Sequence, residues 1–315
     1  MSTLIITSLN ALSFGLLLFL LSAGLTLIFS MMGVLNFAHA GFYMLGAYAA
    51  FSFGAHVGFF PALFLAPLLV GVLGMIVERY GLRRVHAYGH VAELLFTFGL
   101  AYIIEEVVHI IWGKAPVSYP VPDALSGSSL TILGSPFPDY RLFLMTVAVG
   151  VLLLLYLTIT RTRAGLIIQA ALTHPHMVEA LGHNVPRVFM GVFGIGVALA
   201  ALSGAVGAPM TVTEPAMAHA IGTIVFVVIV LGGIGSLKGA FFASILLGFT
   251  QNFAILVDLS PYQIIASTLG DSIAGFFNFE LFRITIAQSA PLLPFLIMVV
   301  VLLVRPQGLC GRREA

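Results

Sequence analysis

Long, nearly uninterrupted apolar runs alternate with short polar segments along the 315 residues. A helix needs about 20 apolar residues to cross about 30 Å of hydrocarbon. On that measure the pattern predicts spanning or partly spanning helices over 8–30, 40–56, 60–78, 91–112, 141–160, 188–207, 221–235, 240–257 and 289–304. The runs are continuous and show none of the two-residue alternation of a membrane β-barrel. The expected fold is therefore an all-α polytopic membrane protein of about nine helices in a single transmembrane domain, 1–315. The runs at 40–56 and 221–235 are short for independent spans and are expected to be broken, tilted or buried among the others. No positive charge precedes the first run, and it is too long for the core of a cleaved leader.

Composition agrees with the pattern. Hydrophobic residues make up 60% of the chain and charged residues 8%, against roughly 45–50% and about 25% in ordinary globular proteins. So few charges cannot coat a water-soluble surface, and so apolar a chain is not disordered. A formal net charge of +1 offers no field for a polyanion, which excludes nucleic acid and leaves the lipid bilayer as the surrounding partner. The single cysteine, Cys310, excludes a disulfide framework.

Positive charge orients the spans. Arg79, Arg83 and Arg84 form one basic segment, and Arg161, Arg163 and Arg187 a second; Lys238 marks a third and Arg305, Arg312 and Arg313 a fourth. Ten of the thirteen Lys and Arg thus fall on one side of an alternating chain, and the other side holds only Lys114, Arg141 and Arg283, with Asp123, Asp139, Asp258, Asp271 and Glu280. The expected arrangement has those segments in the cytoplasm, with the N-terminus outside and the C-terminus inside. Of the outer segments, 113–140 is rich in Pro, Ser and Gly, as an exposed loop should be, and 258–288 mixes polar and aromatic residues, which suits an interfacial helix.

The loop 161–187 is too polar to span. At its centre, Thr173 to Gly182 reads as a short helix, with Thr173 as N-cap, Pro175 in the first turn and Gly182 at the left-handed C′ position. About two turns are marginal alone in water, so the helix either rests on the membrane or is held by a partner. Met177, Val178 and Leu181, beside Glu179, offer an apolar face for such a partner. In the second case it is a coupling helix, passing movement from a separate motor to the spans. The chain carries no motor of its own: Gly232-Gly-Ile-Gly-Ser-Leu-Lys238 has Leu237 where a phosphate-binding loop has glycine.

Several stretches together resemble the permease subunit of branched-chain amino-acid ABC importers, the LivH type. They are Gly33-Val-Leu-Asn-Phe-Ala-His-Ala-Gly41, Glu78-Arg79, Ile104-Glu-Glu-Val-Val-His-Ile-Ile-Trp-Gly113, Arg163-Ala-Gly165, Ala180-Leu-Gly-His-Asn184, Leu231-Gly-Gly-Ile-Gly-Ser236 and Arg305-Pro-Gln-Gly308. His183, where the family usually has a small apolar residue, and His174-Pro-His176 depart from its pattern. The resemblance implies a multi-pass subunit of an ATP-driven importer in a bacterial inner membrane. It implies a second related permease, two cytoplasmic ATPase subunits that bind the ATP, and a periplasmic substrate-binding protein. This chain itself would hold no cofactor or metal and catalyse no reaction. Importers of this type also serve urea, amides and aromatic acids, and a gradient-driven secondary transporter is the mechanistic alternative.

Polar groups inside hydrocarbon are costly and mark candidate path residues. Asn36 and His39 lie between the first run and the short second one. There they either aim a half-helix end at a zwitterion or close a tight turn. Tyr43 follows on the short run and borders either a cavity or ordinary packing. Glu105 and His109, four apart, share a helix face and can share a hydrogen bond, and Glu106 lies about 100° round; the alternatives are ammonium recognition, proton coupling and an interhelical polar contact. Thr213 and Glu214 lie between Pro209 and Pro215, which break the helix there. That break is read as an outer gate, a contact for the binding protein, or an ordinary turn. An intramembrane protease is disfavoured, because Ser203-Gly204 lacks the preceding glycine of a Gly-x-Ser-Gly motif.

Overall fold

The computed structural model describes residues 2–132, 134–257, 259–269 and 279–311. Asp258, Asp271, Arg312 and Arg313 of the charge pattern lie outside them. Every apolar run falls on a helix: α1 (Ser2–Met32), α2 (His39–Val57), α3 (Phe59–Val77), α5 (His90–Trp112), α6 (Asp139–Arg161), α9 (Val185–Gly207), α10 (Met217–Gly232), α11 (Leu237–Leu256) and α15 (Leu293–Val304). Between and after them come α4 (Arg83–Val85), α7 (Arg163–Thr173), α8 (Pro175–Ala180), α12 (Pro261–Leu269), α13 (Glu280–Arg283) and α14 (Ile286–Ser289). The two strands, β1 (Leu130–Ile132) and β2 (Ser135–Phe137), make a small antiparallel hairpin in the segment expected to be plain loop. Among the described residues, seven helices are long and apolar enough to cross a membrane. α10 is shorter, and α2 is not among the seven.

Burial sorts these helices. The apolar window of α1 is 78% buried and that of the helix ending at Val304 only 11%, so α1 is the central post and α15 a peripheral one. α1 packs mainly on α11 and α9, and α9 also holds α2 and α3. Small residues bring these backbones together. A Cβ on Gly204 would meet the Tyr43 carbonyl at 2.0 Å, and one on Gly46 would meet Ala201 Cα at 2.3 Å. α2 therefore lies backbone to backbone on α9, with eleven of its nineteen residues buried. Its tyrosines and glycines face protein, and that is why a helix of modest hydrophobicity sits at the core.

Several boundaries differ from the pattern. α1 starts at Ser2 rather than near residue 8, because the polar Ser8 and Asn10 are accommodated within the helix. α10 covers 217–232, not 221–235, because Gly233 turns the chain with φ +97°. The segment after α3 does not become a loop at Glu78. It continues through a π-helical turn, Glu78–Leu82, and α4, and the buried Glu78 accepts from Arg83 at 3.1 and 2.6 Å.

Arg83 also donates to the Pro186 carbonyl at 2.8 Å, tying the first two basic segments together. The third and fourth meet where Leu309 N–H donates to Leu231 O at 2.8 Å and Cys310 N–H to Gly232 O at 3.0 Å. The Gly-Gly-Ile-Gly-Ser stretch and the C-terminal Arg-Pro-Gln-Gly stretch are thus two halves of one tight joint. At the other end, Val117 pairs with Thr213, and Tyr119 packs on Phe59 and against Gly54. Burial in that loop pushes the Tyr119 hydroxyl above its usual pKa.

Candidate translocation site

The break between α1 and α2 is deeper than a surface turn. His39 Nε2 lies 3.0 Å from the Leu21 carbonyl. Leu21 is eleven residues before the end of α1, or about 16 Å up its axis. Residues 33–38 therefore climb back along α1, and α2 begins partway across the molecule. Gly33, at φ +67°, reverses the chain, and its N–H donates to Phe29 O at 2.9 Å. Asn36 then shapes the entry to α2: its Oδ1 accepts from Ala38 N–H at 3.1 Å, and its carbonyl accepts from His39 N–H at 3.1 Å. Asn36 thus makes the local turn expected of it.

It also does more than turn the chain. A cavity of about 320 Å³ opens at the start of α2, with Asn36, His39 and Ala40 on its wall. That volume is at the lower end of the range for small-molecule sites. Asn36 Nδ2 and His39 Nδ1 are buried and have no hydrogen-bond partner among the described residues. The first N–H groups of any helix lack intrahelical acceptors, so this end of α2 carries partial positive charge. The rest of the wall is mostly apolar and aromatic, including Leu21, Leu25, Phe37, Phe98, Phe226 and Met298. Phe37 stacks on Phe226 at 5.9 Å and meets Phe98 edge-on at 6.5 Å.

A second polar element lines the cavity on α10. His219 Nε2 lies 2.9 Å from Glu105 Oε2, and the ring packs near Tyr102. This replaces the expected Glu105–His109 pairing: the acidic partner of His109 is Glu106, with Oε1 3.5 Å from Nδ1, and no hydrogen bond forms there. A neighbouring helix supplies a better-placed imidazole to Glu105, and i,i+4 spacing alone could not reveal it. The Glu106 side chain is 71% exposed. Tyr43 is fully buried one turn beyond His39 but is not on the cavity wall.

Thr213 and Glu214 lie apart from this cavity. Thr213 is buried, and its carbonyl accepts from Val117 N–H at 2.8 Å in the crossing between α9 and α10. The Glu214 carbonyl accepts from Met217 N–H at 3.1 Å, starting α10. Sequence reasoning passed over His219 and Tyr102 altogether. The only signal was a histidine close to the start of an apolar run.

A family model described as the branched-chain amino acid transport system / permease component matches residues 7–302. The chain belongs to that permease family. It is 26% identical over 97% of its length to the high-affinity branched-chain amino acid transport system permease protein BraD of Pseudomonas aeruginosa, covering 95% of that protein. It is likewise 26% identical to the LivH permease protein of Salmonella typhimurium, with 97% of this chain and 94% of that one aligned. A probable LivH permease of Methanocaldococcus jannaschii is 24% identical over 96% of the chain, covering 91% of that protein. The chain is accordingly a multi-pass transport permease and not an enzyme.

In this permease the loop 161–187 is mostly helix. α7 is capped by Thr162, whose Oγ1 accepts from Gly165 N–H at 3.1 Å. Thr173 is the last residue of α7, and His174 holds the N-cap position of α8 without a side-chain capping bond. Pro175 is in the first turn of α8, as expected. α8 ends with Gly182 at φ +87°, while His183 N–H reaches Val178 O at 3.2 Å and Gly182 N–H reaches Glu179 O at 2.9 Å. Asn184 then caps α9 by accepting from Arg187 N–H at 3.0 Å. Val178 does not belong to an outward face. It is buried against Ala171 and Val185, with Ile167 and Phe189 around it. Met177 and Leu181 are the outward apolar residues, 67% and 78% exposed, and Glu179 is exposed beside them.

Proposed function

We propose that this permease is the transmembrane subunit of an ATP-driven importer for branched-chain or other small hydrophobic amino acids, working by alternating access. The observation that carries the reading is the cavity at the start of α2. A zwitterion needs a positive end, an acceptor and an apolar wall. Asn36 Nδ2, His39 and the positive dipole end of α2 suit the carboxylate. Glu105, behind the wall and bonded to the lining residue His219, supplies the negative charge for the ammonium group. The phenylalanines suit a branched aliphatic side chain and leave little to hold urea.

The remaining partners follow from the same reading. The basic segments lie in the cytoplasm of a bacterial inner membrane, with the N-terminus outside. Met177, Glu179 and Leu181 on α8 meet a cytoplasmic ATPase subunit, and two such subunits bind the ATP. Val178 and Gly182 support that contact from within, by seating α8 on α7 and α9 and by ending it. A second related permease covers the exposed face of α5, where Glu106 would otherwise face lipid. The crossing at Thr213 and Glu214 faces the periplasmic binding protein, and Tyr43 closes the path beyond His39.

The test is leucine uptake into proteoliposomes holding the permease with its partner subunits. Uptake should require ATP and binding protein. The pair Met177→Asp and Leu181→Asp should leave the complex monodisperse while cutting uptake about tenfold, as loss of central interface anchors does. Uptake driven by an ion gradient with no ATPase present would overturn the reading.

A further inference from the structure

A second cavity, of about 280 Å³, lies between α1, α6 and α11. Its wall carries more polar side chains than the first: Asn10, Ser13, Arg141, Thr211, Gln251 and Asn252 all contribute. Arg141 is half-buried and donates to Asn10 Oδ1. Among the described residues no carboxylate lies within ion-pair distance of it. The nearest acid in sequence, Asp139, is engaged elsewhere, accepting from Ser129 N–H at 2.7 Å and from the Ser129 hydroxyl at 2.8 Å. Ser13 is 1% exposed, and its hydroxyl has no partner among the described residues. A guanidinium has five N–H donors and Asn10 takes only part of that capacity. The cavity therefore presents a cation and a spare buried hydroxyl, with no anion to match among the described residues.

Its position gives it a use. On a helix with about 100° per residue, Asn10, Ser13, Leu17, Leu21 and Leu25 form one stripe about 120° wide. Asn10, Ser13 and Leu17 line this cavity, and Leu21 and Leu25 line the first. The two cavities are stacked along one face of α1, a helical turn apart. Leu17, on the wall of the second cavity, and Tyr43 both lie against Gly207: a Cβ there would meet the Tyr43 hydroxyl at 3.0 Å and the Leu17 methyls at 3.3 and 3.4 Å.

We propose that the Arg141 cavity is a carboxylate-binding station, through which the amino acid passes on its way to the Asn36 cavity. The inference rests on the amino-acid reading above for its ligand. It does not rest on the Asn36 site for its test.

The test is thiol labelling of a T211C variant, at an exposed residue of the cavity wall, in a C310A background, in the assembled transporter without ATP. The probes are an anionic and a cationic methanethiosulfonate of similar size. A cleft of one charge sign raises the local concentration of its counter-ion by tenfold or more. The anionic reagent should therefore react about tenfold faster than the cationic one, and R141Q should erase the difference while R141K keeps it. Millimolar leucine should slow labelling in phosphatidylcholine nanodiscs, and leucinamide, which lacks the carboxylate, should not.

Equal rates for the two reagents would overturn the site. Protection by phosphatidylglycerol but not by leucine would overturn the amino-acid assignment in favour of a lipid phosphate. Because labelling needs no turnover, a failure of Asn36 in uptake assays leaves this result readable. In uptake, R141Q should raise the KM for leucine about tenfold with little change in maximal rate, a split that a merely structural role would not give.

Discussion

Two polar interruptions of the apolar pattern look alike in sequence and end differently in space. Residues 33–38 and 208–216 each separate two apolar helices, and each carries side chains that are costly in hydrocarbon. The second makes its hydrogen bonds within the crossing, although Thr211 also borders the smaller cavity. Thr211 Oγ1 donates to Gly207 O at 3.2 Å, and the Thr213 backbone pairs with Val117. The first is left open. Asn36 spends its oxygen on the turn and keeps its amide nitrogen for the cavity, and His39 spends one ring nitrogen on Leu21 and keeps the other. Neighbouring helices decide the outcome, because they set which polar groups beside each break find a partner.

The comparison breaks most severely if α2 loses its seat. Gly204→Val puts a Cβ and two methyls into the Tyr43 backbone, which is beyond what side-chain repacking absorbs. The expected result is loss of monodisperse protein on size-exclusion chromatography; a well-folded, active G204V would refute the backbone-to-backbone packing of α2 on α9. Next in size is Asn36→Leu. A hydrogen bond to a charged group is worth about 1.5–3 kcal/mol, so uptake should fall about ten- to hundredfold. Thermal stability should change little, since the lost turn bond is to one N–H. Unchanged uptake would make 33–38 no different from 208–216.

A smaller effect is expected from Glu105→Gln, which keeps a hydrogen bond to His219 and removes the charge. For a partly exposed pair the change should be about fivefold in the KM for leucine, with the maximal rate retained. A KM unchanged by E105Q would remove the ammonium role. Thr213→Val is the mildest. It replaces a buried hydroxyl that has no partner among the described residues, so stability should stay within about 1 kcal/mol and uptake within about twofold. A large loss would show that the hydroxyl, and not the backbone pairing with Val117, is what this crossing uses.

Part of the site was legible in the chain itself. Asn36 and His39 stand out because polar groups between apolar runs must have a reason. The ending of α8 was readable as well, since Gly182 marks a left-handed stop whatever surrounds it. Other features were not. Glu105 was paired with His109 on helical spacing, and its actual partner, His219, is 114 residues away. Val178 was placed on an outward face, yet it points inward, because α7 forms a second wall that the polar character of 161–187 concealed. Arg141 counted only as an outer charge until the structure set it beside Ser13 in a cavity.

The sequence by itself determined that this is a membrane-embedded helical protein, where its helices run, and which polar groups need explaining. Those are consequences of local hydrophobicity and backbone chemistry, and each residue carries its own share of them. Tertiary structure alone decided which polar groups meet an empty space and which meet a partner. Two cavities share one stripe of α1 because α2 starts partway along it, and that start depends on Gly46 and Gly204 letting two backbones touch. Contacts of that kind join residues far apart in the chain, so no local pattern encodes them.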